Sequence, residues 1–449
     1  MKFGGTSVAD AERIRAIAEI VRARAERRPL VVVSALCGVT DLLVQAIGRA
    51  LGNELEAMEP ILAELERKHR WAVAAVESSG ARHDLTLAVD GLFEDLRGLL
   101  RSIRVLGEGS PRAADAILSF GERLSARIVA AIFRDRGLAA REIEATEVLI
   151  TDDRFGAAAP KMEQVGERCR LRLEPLVARD EIPVIAGFVG ATPNGETTTL
   201  GRGGSDTSAA IFGAAMGAEE IQIWTDVDGL MSADPRKVPT ARTLEHVSFE
   251  EAAELAFYGA RVLHPASVVS AVRRGIPVRV LNSLGPEGPG TLILENPGPS
   301  GAAPLALASR EGVQVVRWTA ALDRRAPGLA TRVLNAARSL ELHPDLLVAS
   351  EGAITLVLPE TLELSALESR LSGEATLTAT PARAILSVVG SGLADGATRR
   401  QVLAALAEWD PDLVAVGSSQ ISVTAVVAGK NLEPALRSLH RSFLERSPV

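Results

Sequence analysis

Three short stretches hold residues whose types and spacing could do chemistry. The longest, TTTLGRGGSDTSAA from Thr197 to Ala210, sets three glycines and Arg202 ahead of Ser205 and Asp206 and then runs into alanines. Alanines continue a helix, and a glycine-rich run before a helix lets backbone N–H groups meet an anion. An N-cap alone also accounts for Ser205 and Asp206, but it needs neither the glycines (Gly201, Gly203, Gly204) nor the arginine. The second stretch, Lys2-Phe3-Gly4-Gly5-Thr6-Ser7, puts a mobile cation beside backbone without Cβ atoms, and a Gly-Gly turn capped by Ser is its plain alternative. The third, Ser119-Phe120-Gly121-Glu122, opens a helix on a carboxylate of a type that usually forms a surface ion pair.

Two further segments carry polar residues. Trp224-Thr225-Asp226-Val227-Asp228-Gly229, followed by Asp234-Pro235-Arg236, offers an aspartate after a strand, able to meet a ribose hydroxyl or a metal, or simply to form a polar turn. Tyr258 to Pro265 includes His264, which fits a cap or a core position better than a general base. No GxxxxGK[ST] occurs, and no GxGxxG opens a helix, so phosphates would be handled by glycine turns from separate parts of the chain.

These segments need a scaffold. Apolar strand-like runs at Leu30–Ala35, Pro183–Phe188, Ile221–Trp224 and Pro277–Leu281 alternate with amphipathic helical patterns such as Ala11–Ala25. That alternation predicts an α/β fold with a mostly parallel sheet, whose ligands bind beyond the carboxyl ends of the strands. Residues 41–111 read as helix throughout, an insertion into that core. Gly and Pro crowd Leu284–Pro304, the best domain boundary in the chain. Beyond it PDLLV at Pro344 and PDLV at Pro411 each lead through a serine (Ser350, Ser418) to an alternating strand, a repeat of two small α/β units. The final helix is clear only in the second unit, at Leu432–Leu444.

Composition narrows the function. A net charge of −8 and 3% aromatic residues argue against a nucleic-acid surface, because neither a basic field nor stacking platforms are on offer. Cys37 and Cys169 make no metal or disulfide pattern. No apolar run approaches the roughly 20 residues of a membrane span, and the expectation is a cytoplasmic protein.

Taken in order, KFGGTSVAD, VVVSALCGVT, SFGERLSA, GFVGATPNGETTTLGRGGSDTSAA, WTDVDGL with DPR, and YGARVLHP resemble the aspartate kinases of the amino acid kinase family. The linker and doubled unit are similar to that family's paired ACT domains, and the length resembles its lysine-sensitive, monofunctional type. The resemblance implies an amino acid kinase fold: a mostly parallel central sheet flanked by helices, with a helical insertion, then two ACT-like α+β (βαββαβ) units. It implies a catalytic domain at 1–290, a linker at 291–304 and ACT domains at 305–380 and 381–449. The implied reaction moves the γ-phosphoryl of ATP, with Mg²⁺ bridging its phosphates, to the side-chain carboxylate of L-aspartate. A carboxylate acceptor is already ionised and needs no general base, so positioning and charge neutralisation are what the site must supply.

By the same resemblance Lys2 stabilises the transferring group and Asp206 organises Lys2. Thr40, Glu122, Arg202, Gly203, Gly204 and Ser205 hold aspartate, Glu122 at its ammonium and Arg202 at its α-carboxylate. Lys2, Phe3, Gly4, Gly5, Thr225, Asp226, Met231, Arg236, Arg261 and Val262 hold the nucleotide. Ala321, Asp323, Asp345, Ser350 and Glu351 fall in the effector segments, with lysine the first expected effector and threonine the second; ACT pairing implies a homodimer or a tetramer. Three departures stand out. One residue precedes Lys2 where the family has several more of strand, so either the start is set late or the first strand is clipped, and a frayed Lys2 would slow phosphoryl transfer; Arg261 stands where lysine is common; Met231 stands where many relatives have an aromatic. The other readings are a sister kinase acting on glutamate, acetylglutamate or UMP, and a weak amino-acid sensor with a degraded kinase fold.

Overall fold

The computed structural model describes residues 1–259, 269–296, 304–320, 328–340, 342–371, 375–417 and 420–445. They form two compact units. One holds Met1–Leu230, Thr243–Ala252 and residues 269–296; the other holds Met231–Arg242, residues 253–259 and the described residues from 304 on.

The first unit is built on β1 (Lys2–Phe3), β2 (Val31–Val33), β3 (Ala140–Ile143), β4 (Ile182–Ala186), the hairpin β5 (Val189–Ala191) and β6 (Thr197–Thr199), then β7 (Ile221–Thr225), β8 (His246–Ser248), β9 (Val278–Asn282) and β10 (Thr291–Leu294). Its main sheet runs β3-β4-β2-β1-β7-β9-β10-β8, parallel from β3 to β9. The valines of β2 are buried on both faces, as a covered parallel strand requires. β1 is short but pinned on both sides, by β2 and by β7, and the Met1 amine donates to the Leu30 carbonyl at 2.7 Å. Lys2 is therefore held rather than frayed.

The helices of this unit are α1 (Ala11–Arg22), α2 (Val39–Leu51), α3 (Leu55–Val73), α4 (Ser79–Leu106), α5 (Pro111–Leu118), α6 (Phe120–Asp135), α7 (Ala145–Val148), α8 (Met162–Arg172), α9 (Glu174–Val177), α10 (Gly204–Met216), the start of α11 (Phe249–Tyr258), whose remainder belongs to the second unit, and α12 (Val269–Val272). Asp10 caps α1 by accepting from the Arg13 amide. In the inserted α3 and α4, the leucines Leu62, Leu65, Leu96 and Leu100 are fully buried, each contributing roughly 1.5–3 kcal/mol.

That helical core also buries His69. Its Nδ1 lies 2.7 Å from the Leu65 carbonyl, its ring meets Phe93 edge-on, and Nε2 has no partner. Burial pushes its pKa from 6.5 down to about 4. The unfolded chain then binds the extra proton first, so stability is complete above pH 6.5 and drains away as pH falls towards 4, by up to about 3 kcal/mol. His69→Phe is expected to flatten the loss between pH 7 and pH 4, read by urea unfolding at each pH.

In the second unit β11 (Ala306–Ala320), β12 (Leu346–Ala349), β13 (Ala353–Pro359), β14 (Ala375–Val389), β15 (Leu413–Val416) and β16 (Ser422–Ala428) form one antiparallel sheet ordered β12-β13-β11-β14-β16-β15. α13 (Leu329–Ser339), α14 (Ser365–Leu371), α15 (Gly396–Ala407) and α16 (Leu432–Phe443) accompany it.

Three boundaries differ from the sequence reading. β10 lies inside the proposed linker yet completes the first sheet, pairing with β8 and β9. The first ACT-like unit has its own second helix, α14. And the two ACT-like units are not consecutive. Val316 and Trp318 of β11 pack with Ile354, Leu356 and Leu358, whereas Leu307 of the same strand packs with Leu386, Val423 and Leu436. The second unit therefore takes one strand from residues before the first, which is inserted within it. Gly312, at φ 69°, sits where the β11–β14 register shifts between the two cores, a conformation that favours glycine at a bulge.

Candidate functional site

β1, β2, β4 and β7 all end at one edge of the first sheet, and β1 sits where connections diverge to either side, the place where open α/β sheets bind ligands. After β1 the chain turns sharply. The Gly4 amide donates to the Trp224 carbonyl at 3.0 Å, and the Gly4 carbonyl accepts from Ser7 and Val8. The amides of Gly5 and Thr6 are left donating to no described residue. A Cβ at Gly5 would stand 3.1 Å from the Ala35 carbonyl, so the turn lies close against the end of β2.

Lys2 leaves β1 into this edge. Its Nζ is 2.6 Å from Asp206 Oδ1, with side-chain exposures of 10% and 14%. Asp206 rides on the first turn of α10. The turn before it is bent by Gly203, at φ 71°, and pressed onto Phe188, where a Cβ on Gly204 would stand 2.5 Å from the ring. The amides of Ser205 and Asp206 donate to no described residue either, so the positive end of α10 is open to an anion. Arg202, on the same turn, is exposed and forms no ion pair with a described residue.

Glu122 comes from the other side. A Cβ on Gly121 would stand 2.9 Å from Ala35 Cβ, so glycine is what lets α6 close on the loop after β2. Glu122 is buried and its Oε2 has no partner. Burial raises its pKa from 4.5 to about 7, against the pull of the Ala35 and Glu122 amides, the Lys2 ammonium and the Ser205 hydroxyl. A buried carboxylate with an empty oxygen is short of a cation, and a ligand ammonium would satisfy it.

Lys2, Glu122, Ser205 and Asp206 are thus brought together, with the Gly5 turn and the Gly203–Gly204 bend around them. Two other expectations need correction. Phe3 is core: its fully buried ring stacks on Trp224, and its carbonyl accepts from the Ser34 amide. Gly4 has no free amide, because Trp224 takes it. Of the remaining expected site residues, Arg236 belongs to the second unit and is highly exposed, with its guanidinium paired to Asp234 at 2.7 Å. Asp345 is paired through Oδ1 to Arg310, which also donates to the Phe257 carbonyl, while its buried Oδ2 has no partner among the described residues.

Thr40 is exposed on the first turn of α2. Thr225 ends β7, its hydroxyl donating to Asp226 at 3.1 Å, and Asp226 is exposed. Met231 belongs to the second unit. Ser350 and Glu351 are exposed after β12, with the Ser350 amide donating to the Ala353 carbonyl. Arg261, Val262, His264, Ala321, Asp323 and Ser418 lie outside the described residues.

Two residues escaped the sequence reading. Phe188 adopts φ 66°, unusual for a bulky side chain, with its amide held by Ser208 Oγ at 2.9 Å. Its signal was the Gly187-Phe188 pair that follows β4. Asp115, on α5, is only 1% exposed and accepts three hydrogen bonds. In the sequence it looks like any helix-surface aspartate.

A profile of the amino acid kinase family matches residues 1–282. The chain is 32% identical over 464 residues to lysine-sensitive aspartokinase 3 of Escherichia coli (strain K12), covering 99% of this chain and 98% of that protein. It is 30% identical over 463 residues to chloroplastic aspartokinase 2 of Arabidopsis thaliana, covering 100% of this chain and 84% of the other. The crystal structure of E. coli aspartokinase III with lysine and aspartate, in its T-state, matches with a TM-score of 0.87 at 30% identity over 99% of both chains. The R-state structure with aspartate and ADP matches at 0.83, with 30% identity over 99% of both chains.

Proposed function

From the premise that the chain belongs to the amino acid kinase family, we infer that it transfers the γ-phosphoryl of ATP to the side-chain carboxylate of L-aspartate, giving 4-phospho-L-aspartate. The observation that carries this is the pairing of opposites at one sheet edge: a buried, unsatisfied Glu122 beside the Lys2–Asp206 ion pair and free glycine-turn amides. The first asks for an ammonium, the second for a phosphoryl group. A sister kinase with an acylated or nucleotide acceptor would have no use for Glu122, and a degraded sensor no need for the Lys2–Asp206 pair.

The roles follow from the chemistry. Glu122 receives the α-ammonium of aspartate and becomes ionised on doing so. Arg202 and the Ser205 amide hold the α-carboxylate, which leaves the side-chain carboxylate facing the phosphates. The Gly5 and Thr6 amides and Lys2 neutralise charge on the transferring group, and Asp206 keeps Lys2 aimed. Thr225 and Asp226 border the ribose. Mg²⁺ would come to the site bound to the nucleotide. When bound, that ion supplies charge neutralisation across the phosphates. Hydroxylamine trapping with ATP, Mg²⁺ and either L-aspartate, L-glutamate or N-acetylglutamate tests the reading: product with aspartate supports it, and product with another acceptor alone rejects it.

Lysine is the proposed feedback ligand, in keeping with the relative named as lysine-sensitive. Calorimetric titration with lysine and threonine would detect it, and no heat from either would reject an effector site. The unit bearing it is also the proposed dimer surface. Both edge strands expose apolar side chains, Leu347 and Val348 on β12 and Val414 and Val416 on β15, between 41% and 45% exposed. Bare apolar edges invite strand pairing with a second copy. The doubly substituted Val348→Lys, Val414→Lys chain is expected to sediment at half the wild-type mass, or at one quarter if two such dimers associate. No described helix is long and apolar enough to cross a membrane, and the proposed setting is the cytoplasm.

A further inference from the structure

We propose that Asp115 is the positioning residue of the acceptor site, fixing the loop that carries Arg202 relative to the helix that carries Glu122. The inference rests on the aspartate reading above and adds to it a residue that touches neither substrate.

Asp115 Oδ2 accepts from the Gly156 amide at 2.9 Å and from the Thr199 amide at 2.8 Å; Oδ1 accepts from the Thr199 hydroxyl at 2.7 Å. It forms no ion pair with a described residue, so these three bonds are what keep a buried carboxylate tolerable. All three fall on the two segments that bracket the glycine loop. Thr199 ends β6, two residues before Gly201. Gly156 presses on Gly201 directly: a Cβ there would stand 2.9 Å from the Gly156 carbonyl. Gly201 in turn accepts from the Gly204 amide at 3.0 Å, which sets the first turn of α10.

The other end of the link is Glu122. α5 and α6 are consecutive helices that share Ser119 as the last cap of one and the first of the other. The helix pair therefore carries both the ammonium-binding carboxylate and the anchor of the loop that meets the α-carboxylate. A zwitterion is measured between two charges on one amino acid, and Asp115 holds the span between the groups that receive them. Displacing the loop by an ångström would spoil aspartate and leave the nucleotide turns alone.

The test compares Asp115→Ala, Asp115→Asn and Thr199→Val in the full chain by hydroxamate kinetics, with thermal melts alongside. Asp115→Ala orphans the buried Thr199 amide and frees the Gly156 amide, and is expected to raise the KM for aspartate about tenfold or more while the KM for ATP stays within about twofold. Asparagine should retain most of the affinity: its oxygen accepts both amides, and the Thr199 hydroxyl can turn to accept from its nitrogen. Thr199→Val, which removes only the Oδ1 contact, should raise the aspartate KM less. If Asp115→Ala does not fold, Thr199→Val decides alone. Equal rises in both KM values, an unchanged aspartate KM in an active background, or an asparagine variant as impaired as alanine would each overturn the inference. A wild-type chain that forms no aspartyl hydroxamate would instead overturn the aspartate reading and take the inference with it.

Discussion

Glu122→Gln is expected to raise the KM for aspartate at least a hundredfold and, at pH 8, to make the first unit harder to unfold. Both effects come from one buried carboxyl. Gln keeps the shape and the hydrogen-bonding oxygen but cannot carry the charge that a buried ammonium needs, and leaving such a charge unpaired costs about 3–5 kcal/mol. The stability effect has the opposite sign. Glu122 titrates near 7 in the folded chain against an ordinary 4.5. Between those values the folded chain holds the extra proton. Its contribution is therefore complete below pH 4.5, declines as pH rises and is gone above about 7, a loss of roughly 3 kcal/mol. A glutamine never ionises and keeps that contribution at pH 8. Wild-type aspartate affinity carries the same signature: it should weaken about tenfold for each pH unit below 7, and the variant should lose that dependence. KM profiles and melts between pH 5 and pH 8 read all of it. A variant with wild-type aspartate KM would remove Glu122 from the site.

This opposition of function and stability explains why parts of the site were legible in the sequence. Glycine is placed where backbone must come close, so Gly121 beside Ala35, Gly5 beside the Ala35 carbonyl and Gly204 beside Phe188 all left a visible mark. Lys2 and Asp206 stood in two such marked segments, and their pairing needed only a parallel sheet to bring the segments together. What stayed hidden depended on partners rather than on residue type. Gly4 and Gly5 read alike, yet Trp224 on a strand far along the chain takes one amide and leaves the other free. Asp115 has the spacing of a solvent-facing residue, and only the fold puts Thr199 and Gly156 against it. The 67-residue offset between Pro344 and Pro411 aligns β12 with β15, which begin two residues after each proline. It could not reveal that β11 serves two cores, because neither apolar half of that strand carries a sign of which neighbour it will find. β10 was masked by composition: four residues of strand sit among glycines and prolines that on their own signal a loop.

The Lys2–Asp206 pair should behave in kinetics as one device. Lys2→Met is expected to lower kcat by about a hundredfold to a thousandfold with the aspartate KM little changed, since its charge matters most when the phosphoryl group is in flight. Asp206→Asn leaves the ammonium in place but unaimed, and should cost a comparable factor with nucleotide affinity nearly unchanged. If Asp206 acts through Lys2, the double variant is no slower than Lys2→Met alone; if the two act separately, their losses multiply. Stability supplies an independent check. The pair is close to fully buried, so Lys2→Met strands a carboxylate, and the single variant should melt well below wild type. Adding Asp206→Asn removes the stranded charge and should restore most of that loss while leaving turnover where it was. Recovery of stability without recovery of rate is the pattern expected of an ion pair that aims a catalytic cation. A double variant slower than Lys2→Met by the full factor of the Asp206 change would mean that Asp206 meets the substrates on its own account.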